Sequence, residues 1–281
     1  MITCNLMGGL GNQLFQIFTT ISYSIICKNA FKFLNIEILG GGATTIRNTY
    51  WETFFHKLKP FLLPKFPHFE VIREKDFTYN NLHLNEIINK DVMIHGYFQS
   101  YKYFEKNYSL ICKLIGLKDM KTNVLNNISI SKDILENSIS IHFRLGDYKK
   151  FKDFHPIASY QYYEKSLLYI QEKFSNETFN IIYFCEEEDI NEVLESIQKL
   201  SDKFPNYIFI RGDNTLLDWE QLLLMSCCKH NIIANSSFSW WAAYFNSNVD
   251  KIVCYPSLWF GETANINTKD LCPLEWVKIN V

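Results

Sequence analysis

The run Ser138 to Tyr148, SISIHFRLGDY, carries a histidine and an arginine two residues apart, with a glycine and an aspartate close behind. Its residues alternate as in a strand: Ile139, Ile141 and Phe143 point one way, and Ser140, His142 and Arg144 the other. The pattern breaks at Gly146. His142 and Arg144 are therefore expected at a strand's carboxyl end, the edge where open α/β sheets take their ligands. A guanidinium fixed there can grip a phosphate through two hydrogen bonds. The same spacing also fits an edge strand whose surface arginine pairs with Asp147.

Three other stretches have chemical potential. GGLGNQ, Gly8 to Gln13, lies between a strand-like ITCNLM and a long apolar run from Leu14 to Cys27. Strand, glycine turn and helix is the layout of a phosphate-facing loop, and equally of a tight turn with no ligand. It is neither the dinucleotide fingerprint nor a Walker A loop, because the third glycine and the Gly-Lys-Ser/Thr are missing. In NSSFSWWAAYF, Asn235 to Phe245, a strand ends and a helix begins near Ser237. Its amides and the hydroxyls of Ser236, Ser237 and Ser239 suit an anion, or simply cap a helix. In FCEEED, Phe184 to Asp189, a carboxylate at a strand end could pair with the N1–H and exocyclic amine of guanine, or three acids could favour a helix start.

No Asp-x-Asp pair, His-Glu-x-x-His or Gly-x-Ser-x-Gly occurs in the chain. Arginine and helix-end amides are left as the means to stabilise a departing diphosphate.

The elements that must position these groups alternate through the second half. Helices are expected over Tyr160–Phe174, Glu186–Leu200, Thr215–Cys228 and Ser237–Phe245. Strands are expected over Phe179–Cys185, Tyr207–Ile210, Asn231–Ala234 and Lys251–Tyr255, before an irregular tail. Such alternation predicts a parallel, doubly wound sheet. The first half reads as strands Ile2–Met7, Phe31–Ile38 and Val92–Tyr97, a flexible loop over Gly40–Thr45, and a helix capped by Ser100. The polar stretch Lys118–Asn137 separates two lobes, residues 1–125 and 126–281.

The 281 residues suit two lobes, and 47% apolar with 21% charged residues suits a globule. A net charge of −2 without a basic stripe argues against a nucleic-acid partner. The eight cysteines lack paired metal spacing, so free thiols in a reducing, cytoplasmic setting are expected. No signal peptide and no apolar run of spanning length is seen.

Taken together, GGLGNQLFQ (Gly8 to Gln16), GYFQSYKYF (Gly96 to Phe104), HFRLGDY (His142 to Tyr148) and the run from Met225 through IIANSSFSWWAAYF resemble the α-1,2-fucosyltransferases of glycosyltransferase family 11. The blocks keep the family's order and span nearly the whole chain. The resemblance implies a GT-B-like α/β fold of two Rossmann-like lobes with a cleft between them. Residues 1–125 would form the acceptor-side lobe and residues 126–281 the nucleotide-sugar lobe. It implies inverting transfer of L-fucose from GDP-fucose to a glycan hydroxyl, O-2 of a terminal galactoside, without a metal or other cofactor. Arg144 would hold the β-phosphate, supported by His142. Gly9, Gly11 and Asn12 would face the diphosphate and fucose. Asn235, Ser236, Ser237, Phe238 and Ser239 would close the nucleotide pocket, and Glu186 or Glu187 would read guanine. Asp147 is the carboxylate nearest the central motif, fit either to take the acceptor proton or to hold Arg144.

The chain departs from the family pattern in two places. Leu145 stands where a second arginine is usual, and Cys185, Glu186 and Glu187 stand where Ser-Asp-Asp is frequent. The alternatives are a transferase for another nucleotide-linked deoxyhexose, such as rhamnose, or a carbohydrate-binding relative without catalysis.

Overall fold

Six parallel strands form the sheet of the second half. In spatial order they are Ile208–Arg211, Asn180–Phe184, Ser138–His142, His230–Ile232, Val253–Pro256 and Val277–Ile279. Counted along the chain this is the order 3-2-1-4-5-6, that of a doubly wound sheet. The order reverses between Ser138–His142 and His230–Ile232, which pair with Ile139 opposite His230 and Ile141 opposite Ile232. The expected α/β class and parallel sheet are found. The structure, a computed structural model, describes residues 1–41, 44–65, 67–82, 87–175 and 177–280.

The alternation in the central strand sorts its two faces. Ile139, Ile141, Phe143 and Leu145 share one buried cluster with Tyr163, Leu167 and Ile170 of the helix Tyr160–Lys173, and with Val193 and Ile197 of the helix Ile190–Lys203. On the other face, Ser140 accepts a 2.7 Å hydrogen bond from Asn231, and the His142 ring lies 5.5 Å from that of Phe238. Both faces are thus covered by helices, as parallel sheets require. The strand ends at His142 rather than at Arg144, although the amide of Phe143 still donates to the carbonyl of Phe184 at 2.8 Å.

Backbone contacts divide the chain into two compact units. One is Met1–Met120 with Asn267–Pro273, the other Lys121–Ile266 with Leu274–Val281. The division falls inside the helix Leu117–Asn127, five residues before the boundary read from the sequence. The return of residues 267–273 to the first unit has a local cause. Asp270 accepts from the amide of Tyr79 at 3.0 Å and pairs with Lys102 at 2.5 Å, and its carbonyl accepts from the Ser100 hydroxyl at 2.6 Å.

The first unit has its own parallel sheet, ordered Ile2–Cys4, Val92–His95, Glu70–Arg73. The helix Leu10–Ile26 is buried along most of its length, with Phe15 and Phe18 at 6.0 and 5.5 Å from the Phe104 ring. It starts four residues earlier than its apolar run suggests, so Gly11 and Asn12 lie in its first turn and not in a loop. The expected loop over Gly40–Thr45 is mostly an antiparallel pair, Ile38–Gly41 with Thr44–Asn48; residues 42 and 43 lie outside the described ones. The tail read as irregular contains the strand Val277–Ile279. All eight cysteines are free thiols. Among the described residues, no helix is long and apolar enough to cross a membrane.

Candidate active site

The second unit gathers its polar side chains where the sheet's order reverses, at the carboxyl ends of three adjacent strands. Arg144 follows the central strand and is 18% exposed. One guanidinium nitrogen donates to Asp147 at 2.5 Å and another to Glu186. The ring of Tyr148 lies 5.2 Å from the guanidinium carbon, within cation–π range. Burial disfavours the charge on Arg144, but Glu186 and Asp147 outweigh it and hold the group above the usual arginine range. A permanently charged fork is thereby fixed at a strand end.

His142 is buried, and its Nδ1 meets no hydrogen-bond partner among the described residues. Burial, reinforced by the Arg144 charge, pushes its pKa down to about 3. It is a neutral imidazole at physiological pH and contributes shape and hydrogen bonding rather than charge.

The loop after Arg144 turns at Gly146, whose φ of +29° lies in the left-handed region. A β-carbon there would meet only the flexible end of the Glu186 side chain, so it is the positive φ that calls for glycine. Leu145 points the opposite way and is buried in the cluster with Ile141 and Phe143. The position where the family usually has a second arginine is a core position in this chain, and its loss leaves the polar face intact.

Three acids of the neighbouring strand end, Glu186, Glu187 and Asp189, are engaged. Glu186 holds Arg144, while Glu187 pairs with Arg211 at 2.5 Å and accepts from Asn214 at 3.3 Å. Arg211 and Asn214 hold the Glu187 carboxyl below the usual range. Asp189, which is not among the residues expected to bind the donor, is buried to 4% exposure. It accepts from the amide of Gly146 at 2.7 Å and pairs with Lys149 at 2.9 Å. The available signal was its position, the last acid before an amphipathic helix.

On the other side of the reversal, the helix Ser237–Phe245 begins directly after its strand, so its positive end lies at the same sheet edge. The Ser236 hydroxyl caps it by accepting from the amide of Phe238 at 3.3 Å. Ser237 and Phe238 are partly exposed. Ser239 is fully buried, with its hydroxyl donating to the carbonyls of Ala234 and Ser236 at 3.4 Å, which removes it from the expected anion-facing hydroxyls. Asn235 is also turned inward, donating to the carbonyls of Pro156 and Trp259 at 2.8 and 3.1 Å. The Tyr148 hydroxyl donates to the Asn235 carbonyl at 3.0 Å and ties the two loops together.

In the first unit, the glycine turn is built from neutral groups. Gly8 has a φ of +75°, and a β-carbon there would lie 2.4 Å from Asn12 Nδ2. Gly9 precedes the helix without a side-chain cap. Asn12 accepts from Gln99 at 2.8 Å, and Gln13 donates to the carbonyls of Gly8 and Asn48 at 3.0 and 2.8 Å. The turn that carries Gln99 contains Phe98 at a φ of +52°, and its amides at Tyr97 and Phe98 donate to Glu74 at 2.7 and 2.9 Å. Glu74 was not legible as a site residue, because its partners lie more than twenty residues away.

A doubly wound sheet with a restrained arginine and a helix end at its reversal point defines an α/β protein of the class that receives ligands at a topological switch point. The family model described as Glycosyl transferase family 11 matches residues 48–280. The chain belongs to that family, and the protein is a glycosyltransferase. It is 27% identical to the Alpha-1,2-colitosyltransferase of Escherichia coli, over 99% of each chain. It is 28% identical to the O-antigen biosynthesis glycosyltransferase WbnK of Escherichia coli, over 99% of this chain and 100% of the other. Among solved structures, POFUT1 in complex with GDP aligns with a TM-score of 0.46 at 10% identity, covering 90% of this chain and 97% of that one. A mutant of Arabidopsis thaliana FUT1 in complex with GDP aligns with a TM-score of 0.45 at 9% identity, covering 90% and 69%.

Proposed function

We propose that the protein transfers L-fucose from GDP-fucose to a glycan hydroxyl, O-2 of a terminal galactoside, with inversion. The observation that carries this reading is Arg144, a charged fork held at the reversal point of the sheet, on a chain of glycosyltransferase family 11. As the bond from sugar to diphosphate breaks, charge grows on the β-phosphate oxygens. A guanidinium already oriented there stabilises that charge without reorganising. The positive end of the helix Ser237–Phe245 acts in the same direction. His142 stays neutral and adds a hydrogen-bonding edge. In this reading Glu186 or Glu187 reads the guanine edge, and each must first exchange an arginine partner for the base. Asp147 is the carboxylate in reach of the central motif, and its bond to Arg144 makes it a restraint on that side chain as much as a proton acceptor.

A second reading is favoured by one observation, the likeness to a relative whose name gives it colitose, a dideoxyhexose, as the transferred sugar. The donor would then be another nucleotide-linked deoxyhexose bound by the same phosphate contacts.

Thermal shifts with GDP, UDP and dTDP, followed by product analysis with a panel of sugar nucleotides and lactose, separate the readings. A ligand of the folded state alone raises the melting temperature. GDP should stabilise and GDP-fucose should yield a fucosylated product. Stabilisation by UDP or dTDP but not GDP overturns the guanine assignment. Transfer only from a different GDP-deoxyhexose establishes the second reading.

A further inference from the structure

The loop Arg144–Lys149 is suspended between two neighbours. On one side, the Tyr148 hydroxyl reaches the Asn235 carbonyl at 3.0 Å. On the other, a single buried carboxylate holds two points of the loop: Asp189 takes the amide of Gly146 at 2.7 Å and the amine of Lys149 at 2.9 Å. Between those points lie Asp147 and Tyr148, the two loop residues that touch Arg144. Among the described residues, Asp189 bonds to Gly146 and Lys149 and not to Arg144 itself. A second link, Lys149 to Glu192 at 2.6 Å, fastens the same amine to the helix Ile190–Lys203.

From this geometry we infer that Asp189 is a positioning residue for glycosyl transfer: it fixes the bracket Gly146–Lys149, and through Asp147 and Tyr148 it sets where Arg144 points. The inference rests on the reading of Arg144 as the ligand of the donor's phosphate. A buried carboxylate with partners at two places in one tight turn has few ways to relax. Its loss frees the turn, and the guanidinium then samples orientations instead of waiting in one. Displacements of about 1 Å at such a group cost on the order of a hundredfold in rate, and loss of an outer partner that orients a site ligand costs about 10–100-fold.

The test is a double-mutant cycle with two readouts, turnover of GDP-fucose with lactose and calorimetric affinity for inorganic pyrophosphate, which needs only the phosphate site. Asp189→Asn keeps size and one acceptor oxygen while removing the charge. It should lower kcat about 10–100-fold and leave the melting temperature within a few degrees. Lys149→Gln, at a partly exposed position, should lower it about threefold to tenfold. Pyrophosphate affinity should fall in the same order. In an Arg144→Ala background, Asp189→Asn should add almost nothing to either loss, because its effect passes through the missing side chain. A folded Asp189→Asn with parental kcat and pyrophosphate affinity overturns the inference, as do losses that multiply with those of Arg144→Ala. Should Asp189→Asn not fold, Lys149→Gln decides: parental values overturn the inference. Arg144→Ala with parental pyrophosphate affinity defeats the site reading instead, and the inference with it.

Discussion

The two helix starts of this chain differ in chemistry more than in architecture. In each unit a parallel strand ends and a buried helix begins within a few residues: Ile2–Cys4 into Leu10–Ile26, and His230–Ile232 into Ser237–Phe245. The first is surrounded by amides, Asn12, Gln13 and Gln99, all hydrogen-bonded and uncharged. The second shares its sheet edge with Arg144 and three engaged acids, Asp147, Glu186 and Asp189. Helix amides alone already favour anions through their free N–H groups and the dipole. A buried guanidinium needs counter-charges of its own to stay in place, and gains the capacity to meet a full charge. The second helix start therefore offers a fixed positive charge, and the first offers only neutral hydrogen-bonding partners.

The sharpest break would come at Arg144. Arg144→Ala or Arg144→Lys should lower turnover at least about a hundredfold, the lysine failing because it lacks the planar fork. Asn12→Ala should cost only about tenfold, the order of a neutral hydrogen bond. Equal losses at the two positions, in initial rates on folded protein, would erase the distinction. Leu145→Ala, one residue from Arg144, should instead cost about 2–5 kcal/mol of stability by chemical denaturation, with turnover per folded molecule near parental.

Acid should separate the units next. Burial pushes His142 to about 3 and His230 to about 4. Both folded values lie below the unfolded value of about 6.5, so the unfolded chain binds more protons in between. Their stabilising contribution is complete above about pH 6.5 and is lost as pH falls toward those values. In the first unit, burial raises the Glu74 carboxyl, so its folded form takes up a proton earlier than the unfolded chain and gains stability on acidification. Hydrogen exchange between pH 7 and 4.5 should show the second unit loosening first, and loosening led by the first unit would contradict this.

Much of this was legible beforehand because it is local. The helix Ser237–Phe245 begins and ends where its cap and its aromatic run place it, and the helix from Tyr160 ends within one residue of its expected end. His142 and Arg144 fell at a strand end because period-two alternation and a glycine are written in adjacent residues. What could not be read depends on partners distant in sequence. Glu74, Asp189 and Asp270 look like ordinary acids, and only folding brings them to the backbone amides of Phe98, Gly146 and Tyr79. Ser239 looks like an anion ligand until the helix turns its hydroxyl inward. The strand Val277–Ile279 is short and has its pairing set by Val253–Pro256.

Smaller effects sharpen the comparison further. Gly8→Ala must adopt a left-handed φ against Asn12 and should lose about 1–3 kcal/mol. Gly9→Ala meets open space and should stay within about 0.5 kcal/mol. Similar losses at both would show that the first turn is shaped by something other than this contact. In the second unit, Glu186→Gln removes a carboxylate that competes for the guanidinium. It should raise affinity for pyrophosphate by about threefold to tenfold, the order of one charge-assisted bond. Weaker binding would mean that Glu186 aims Arg144 rather than competing for it.

The return of Asn267–Pro273 to the first unit bears on the order in which the protein can be made. A ribosome completes residue 120 long before it reaches Asp270, so while residues 121–269 are made the backbone amide of Tyr79 and the amine of Lys102 wait for a carboxylate not yet polymerised. The first unit is thus begun before the second and completed only after most of the second has been made. A fragment ending at residue 120 should be less stable than the same unit within the whole chain, and supplying the missing segment as a short graft after Met120 is the natural repair.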